Sequence, residues 1–161
     1  MFALMHTTTP LANDSLHVRH LEVNLNRQVL FIVDSLDHVT GILPISSGSG
    51  VYFETEDMGG RYALTPRGKF AVYNKIRGWR KSKLGMLYYP LYIKSGIAIH
   101  GANQVPPQPA SHGCIRIPMF AAKKLFDSSP LGMVAIVFGE NPPKFGGPKR
   151  GALKAKEHAM R

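Results

Sequence analysis

Cysteine is nearly absent from this chain: Cys114 is the single one among 161 residues. With no second cysteine an internal disulfide is excluded, and the fold has to rest on packing alone. Acidic side chains are scarce too, 10 Asp and Glu against 20 Lys and Arg, which leaves a formal net charge of +10. Such an imbalance attracts polyanions: nucleic acid, anionic lipid or acidic wall polymers. No recognised nucleic-acid motif accompanies it, so nucleic acid is not expected as a partner. Long apolar runs are missing as well; none approaches the roughly 20 residues of a membrane-spanning helix. The opening "MFALMHTTTPLANDS" has no Lys or Arg ahead of its short apolar stretch, so it lacks the layout of a signal peptide.

What is present reads mostly as strands. "HLEVNLN" alternates Leu21, Val23 and Leu25 with polar neighbours, the period of a half-buried strand. After the polar break Asn26-Arg27, "QVLFIVD" suits the second arm of a hairpin. "HVTGILPISSG" continues the rhythm into "SSGSG" (46–50), a loop by its Ser and Gly content. In "TPRGKF", Pro66 fixes φ and Gly68 permits a positive one, so a tight turn precedes the next strand. "GMLYYPLYIKSGIAIHG" is rich in aromatic and β-branched residues, again strand chemistry. One helix is expected in "PMFAAKKLFDS", with Pro118 at its first position, Met119, Ala122, Leu125 and Phe126 on one face, and Ser128-Ser129-Pro130 as its stop. "MVAIVFG" closes the pattern as a buried strand. The fold class is therefore mostly β, a sandwich or barrel-like sheet with one main helix packed on it. Residues 1–17 read as a leader or linker stub, 18–140 as the folded domain, and 141–161 as a basic, flexible tail.

Chemistry concentrates around "SHGCIRI" (111–117). A thiol is largely protonated at neutral pH, so a nucleophilic Cys114 needs a base or cation nearby. Two histidines qualify. His112 precedes the cysteine by two residues, and in an extended chain would share its face. His100 ends an apolar strand-like run, and the Pro-rich "GANQVPPQPAS" can fold back to bring it near. Either could reach the sulfur. Gly113 allows a sharp turn that aims the amides around Cys114 at a developing oxyanion. Arg116 shares the cysteine face and reads equally as a substrate-carboxylate ligand, a thiolate-stabilising charge or a plain surface cation. A zinc site built from His100, His112 and Cys114 is disfavoured, since no second Cys, HExxH-like pair or nearby carboxylate completes it. No metal or other cofactor is expected. The bland alternatives are a buried, inert cysteine and a non-catalytic cationic binder; a papain-like peptidase lacks its Cys-before-His order here.

"IAIHGANQVPPQPASHGCIRI" resembles the motif of the L,D-transpeptidases, the YkuD-type catalytic domains: a His-Gly, a variable loop, then Ser-His-Gly-Cys, an apolar residue and Arg. "TPRGKF", "EVNLNRQVLFIVD" and "GMVAIVFG" are similar to further elements of that family, so the likeness covers roughly residues 20–139. The resemblance implies a mostly-β fold with its main helix after the catalytic cysteine. It also implies thiol acyl transfer on peptidoglycan stem peptides in an extracytoplasmic setting, the cell wall or periplasm. By the same resemblance Cys114 is the nucleophile and His100 its base, with the Gly101 carbonyl orienting the imidazole. His112 and Gly113, with Cys114, would supply the oxyanion backbone, and Ser111 would support the loop. Arg116 takes the family's alternative to Asn, and its place on the Cys114 face is what marks it as the substrate-binding residue. The basic tail (141–161) adds a capacity to hold anionic wall polymers.

Overall fold

Alternation of apolar and polar residues decides the first sheet. In the computed structural model, which describes residues 18–148, Leu21 and Val23 are fully buried. They lie on β1 (Val18–Asn24), which turns through residues 25–28 into the antiparallel β2 (Val29–Asp34) and then β3 (Val39–Pro44). At the β2–β3 turn the buried Asp34 carboxylate accepts the amides of Leu36 and His38 at 2.8 and 2.9 Å. That is an Asx-type closure that spares the turn unpaired donors. A small hairpin follows, β4 (Tyr52–Thr55) and β5 (Gly59–Tyr62), and then β6 (Gly68–Ala71) after the Thr-Pro turn. The second sheet uses β7 (Asn74–Lys75), β8 (Trp79–Ser82), the long β9 (Gly85–Lys94), β10 (Ile97–Ala102) and β11 (Ile115–Pro118). Helix α1 (Met119–Ser128) and β12 (Val134–Phe138) complete the order.

The first sheet runs β3-β2-β1-β12-β6 and the second β11-β10-β9-β7, with β8 also paired to β9. Only β1–β12 and β10–β11 are parallel. One core joins the sheets: Leu21 and Val137 from the first, Leu91, Ile99 and Ile115 from the second, and Leu125 and Phe126 from the helix. The α1 face is the one the spacing predicts, with Ala122, Leu125 and Phe126 buried, and the helix packs chiefly on β9 and β10.

Three local expectations change. Pro118 is not the first helical residue but the last of β11, standing at the N-cap with φ −58° and ψ 139°. Its ring fixes a φ that suits both a strand end and a helix entry. Ser46 and Ser47, expected in an open loop, are fully buried. The C-terminal segment is anchored as far as it is described. Asn141 clasps the Thr65 backbone through both amide atoms at 2.8 and 2.9 Å, and Phe145 exchanges backbone bonds with Gly50 and Tyr52. The remainder of the basic tail and the leader, residues 149–161 and 1–17, lie outside the described residues.

Candidate active site

Parallel pairing of β10 with β11 sets the site. Ile99 stands opposite Ile115 and His100 opposite Arg116, so Cys114, one residue ahead of β11, comes alongside Ala98. Side chains two apart on a strand share a face, which places Cys114 and Arg116 together on one strand and His100 on its neighbour. Cys114 Sγ accepts the Ala98 amide at 3.5 Å and lies 3.7 Å from the Gly96 carbonyl. The Pro-rich segment that the sequence offered as a return loop makes this parallel crossover. All three side chains open on one cavity of about 570 Å³.

His100 is buried, 4% exposed, with Nδ1 2.9 Å from the Gly101 carbonyl. A carbonyl only accepts, so Nδ1 carries the proton and Nε2 keeps its lone pair. Burial pushes the imidazole down to about 4, against the pull of the Gly101 bond and with some help from Arg116. It is therefore neutral at pH 7. Gly101 itself has no room for a side chain, since a Cβ there would meet that of Ala122 at 2.7 Å. The thiol of Cys114 is pushed above the ordinary range by burial, with the Ala98 amide, Arg116 and Arg61 opposing. Both members of the pair rest uncharged.

The loop before the cysteine is held from beneath by short polar side chains. Ser111 Oγ donates to the Cys114 carbonyl at 2.5 Å and accepts the Gly113 amide at 3.0 Å. Gly113 adopts φ +133°, where a Cβ would sit 3.0 Å from the Leu64 carbonyl oxygen; glycine is needed here on both counts. Its carbonyl accepts the Thr65 hydroxyl at 2.8 Å, and that hydroxyl in turn accepts the Gly48 amide at 2.9 Å. Ser47 O receives the amides of Ala110 and Ser111, while Ser46 and Arg116 exchange backbone bonds at 3.0 and 3.1 Å. Gln28 completes the layer, its Oε1 accepting the Ser47 amide at 2.9 Å. The Gly113 amide is thus already engaged. The amides of His112 and Cys114 find no acceptor among the described residues.

Two hairpins flank the cavity. From β8–β9 come Trp79, Lys83, Leu84 and Met86, and from β4–β5 come Met58 and Arg61. Their turns are joined by an ion pair between Lys83 and Asp57. The exposed His112 ring meets Phe53 edge-on, centroids 4.8 Å apart, and its pKa is lowered by burial, then by Arg116 and Arg61. Among the described residues no acidic side chain lines the cavity. Among the described residues no cluster of His, Cys, Asp and Glu is arranged to hold a metal ion.

Of the residues the sequence brought into consideration, His100, Ser111, His112, Cys114 and Arg116 line this cavity, Gly113 is buried in the loop beneath, bonded to Ser111 and Thr65, and Gly101 lies behind His100. It did not single out Thr65, Ser46, Ser47, Gln28 or Arg61. The Thr-Pro turn and the "SSGSG" run were visible, but as connections rather than as supports for the cysteine loop.

Fold and cavity together define a mostly-β domain with a buried neutral histidine beside a lone cysteine. Residues 18–137 match the family model described as the L,D-transpeptidase catalytic domain, YkuD, and the chain belongs to that family. It is similar to the crystal structure of an L,D-transpeptidase from Xylanimonas cellulosilytica at 36% identity, with a TM-score of 0.71, covering 77% of this chain and 62% of that one. The L,D-transpeptidase of Stackebrandtia nassauensis shares the fold at 22% identity and TM-score 0.62, over 78% of this chain and 57% of the other. One from Mycobacterium tuberculosis does so at 20% and 0.57, over 76% and 58%. The chain thus spans less than two thirds of the length of these structures. No curated protein matches it. No helix among the described residues is long and apolar enough to cross a membrane.

Proposed function

We propose that the protein is a cysteine-dependent L,D-transpeptidase acting on peptidoglycan stem tetrapeptides. The observation that carries this reading is the His100 imidazole, locked by Gly101 in the tautomer that leaves Nε2 free to accept a proton, opening on the same cavity as Cys114. In the first half-reaction Nε2 takes the thiol proton and the sulfur attacks the carbonyl of the third stem residue, a diaminopimelate or its equivalent. The oxyanion accepts the unengaged amides of Cys114 and His112, a preorganised pair that needs no reorganisation as charge develops. Collapse breaks the peptide bond, the imidazolium returns its proton to the departing amine, and D-Ala leaves a thioester behind. In the second half-reaction an acceptor side-chain amine attacks the thioester, His100 takes its proton, and a three-to-three cross-link forms as the thiol is regenerated. With water as acceptor the same steps give a carboxypeptidase.

A resting neutral pair suits this sequence of events, because the charge separation is made only as the substrate carbonyl closes on the sulfur. The site of action follows from the substrate: the cell wall, outside the cytoplasm, where the basic residues of the chain also favour anionic polymers. The test is a disaccharide-tetrapeptide incubation read by mass spectrometry. D-Ala release is expected, and Cys114→Ala should abolish it while the protein keeps its thermal transition. Undiminished release by that variant overturns the reading. A carbapenem adduct of one per chain, lost in the same variant, reports the thiol independently.

A further inference from the structure

Among the described residues, the charged side chains that line the cavity beside Cys114 are all cationic. Arg61, Lys83 and Arg116 face it and no Asp or Glu does. Lys83 has a partner in Asp57, and Arg116 lies within the cysteine segment itself. Arg61 comes from β5. Among the described residues no carboxylate pairs with it. Its guanidinium stands 5.3 Å above the Phe53 ring, which packs T-shaped with His112, centroids 4.8 Å apart, and Nη2 reaches Met58 Sδ at 3.1 Å. Phe53 thus packs against both Arg61 and His112, which links Arg61 to the cysteine loop. Its charge is felt at the sulfur and at His112. A guanidinium is a planar fork of donors that matches a carboxylate in bidentate fashion. Without an internal counter-ion, this one is set to take an anion from the ligand.

We infer that Arg61 binds a carboxylate of the acyl-donor peptide and so determines donor specificity from outside the Ser-His-Gly-Cys motif; the inference rests on the acyl-transfer reading above. The two residues flanking the scissile bond, diaminopimelate at position three and the terminal D-Ala, each offer one carboxylate, and these are the two within reach of a group beside Cys114. The β8–β9 hairpin brings apolar Trp79, Leu84 and Met86 to the same cavity, and these suit the methyl-bearing parts of the peptide. A charge-bearing donor is therefore preferred over one in which the recognised carboxylate is an amide.

The experiment compares three donors: the free tetrapeptide, its third-side-chain carboxamide, and its terminal carboxamide. Release of D-Ala, or of D-alaninamide from the last, is followed for the unaltered protein, Arg61→Gln, Arg61→Lys, and Arg19→Gln as a control far from the cavity. In Arg61→Gln the preference for the free donor over one of the two amides should fall by about tenfold to a hundredfold, the worth of one charge-assisted contact. The change should appear in KM, with kcat little altered and Arg61→Lys intermediate. The amide whose discrimination collapses identifies the carboxylate. Unchanged preference against both amides, or an equal loss on all three donors, overturns the inference and leaves the acyl transfer standing. No release from any donor by the unaltered protein overturns both.

Discussion

The floor and the rim of the cavity are built on different principles. On the floor, Ser46, Ser47, Thr65, His100 and Ser111 are all under 5% exposed, and short side chains bond to backbone groups of segments distant in sequence. A buried polar group without its partner costs far more than the bond itself returns, so such a layer has one arrangement or none. On the rim, Arg61, Trp79 and Lys83 are exposed, and Asp57–Lys83 is a pair in which both side chains are more than 60% exposed. Exposed pairs of this kind contribute little to stability and are screened by salt. The contrast teaches that the atoms proposed to react are held by groups fixed through several partners, while the groups proposed to meet the ligand stand exposed on hairpins.

Changes to the floor should have large and pleiotropic effects. His100→Gln should lower kcat by about 10²–10⁴-fold, the usual contribution of a positioned general base. The same variant tests the pH dependence of stability. The folded-state pKa of His100 lies near 4, below its ordinary value of about 6.5. Between those values the unfolded chain binds a proton that the folded protein refuses, so stability falls as pH drops from 6.5 towards 4. The loss is on the order of 3 kcal/mol and should be largely absent in His100→Gln when denaturant midpoints are compared across that window. Thr65→Val removes one hydroxyl at nearly constant volume and strands both the Gly113 carbonyl and the Gly48 amide. A loss of about 2–3 kcal/mol is expected in chemical denaturation, with activity falling too and Thr65→Ser restoring much of both. At the rim the expected effect is smallest. Asp57→Asn should shift stability by no more than about 0.5 kcal/mol, with kcat unchanged within error. A drop in kcat as large as that of Thr65→Val would erase the distinction between floor and rim.

Local patterns made much of the fold readable. The alternation at Leu21, Val23 and Leu25, the α1 face and the turn at Pro66 each follow from neighbours within a few residues, so sequence spacing reports them directly. His100 and Cys114 were readable for another reason: their residue types are chemically conspicuous and a Pro-rich segment links them. The floor was not. Ser46 and Ser47 have the composition of a loop, yet their partners include Arg116, Ala110 and Ser111, more than sixty positions away. Nothing near them in sequence signals that burial. Arg61 follows two glycines on a strand without an apolar period, so its place at the cavity depends wholly on how the β4–β5 hairpin is set against the cysteine loop. Pro118 was misplaced by one element because its fixed φ is compatible with both of the elements it joins.

The parallel pairing of β1 with β12 bears on how the molecule comes into being. Leu21 lies beside Ala135 and Val23 beside Val137, so the first and last strands among the described residues form the middle of one sheet. Until the last is available, β1 keeps an open edge, a template for pairing with other chains. Contacts so far apart demand closure of a long loop before they return any stabilisation, which places this topology among the slower folders, on the scale of milliseconds to seconds. During synthesis the sheet remains incomplete until Phe138 has emerged. A chain truncated or cut ahead of Met133 is then not a smaller enzyme but an aggregation-prone intermediate.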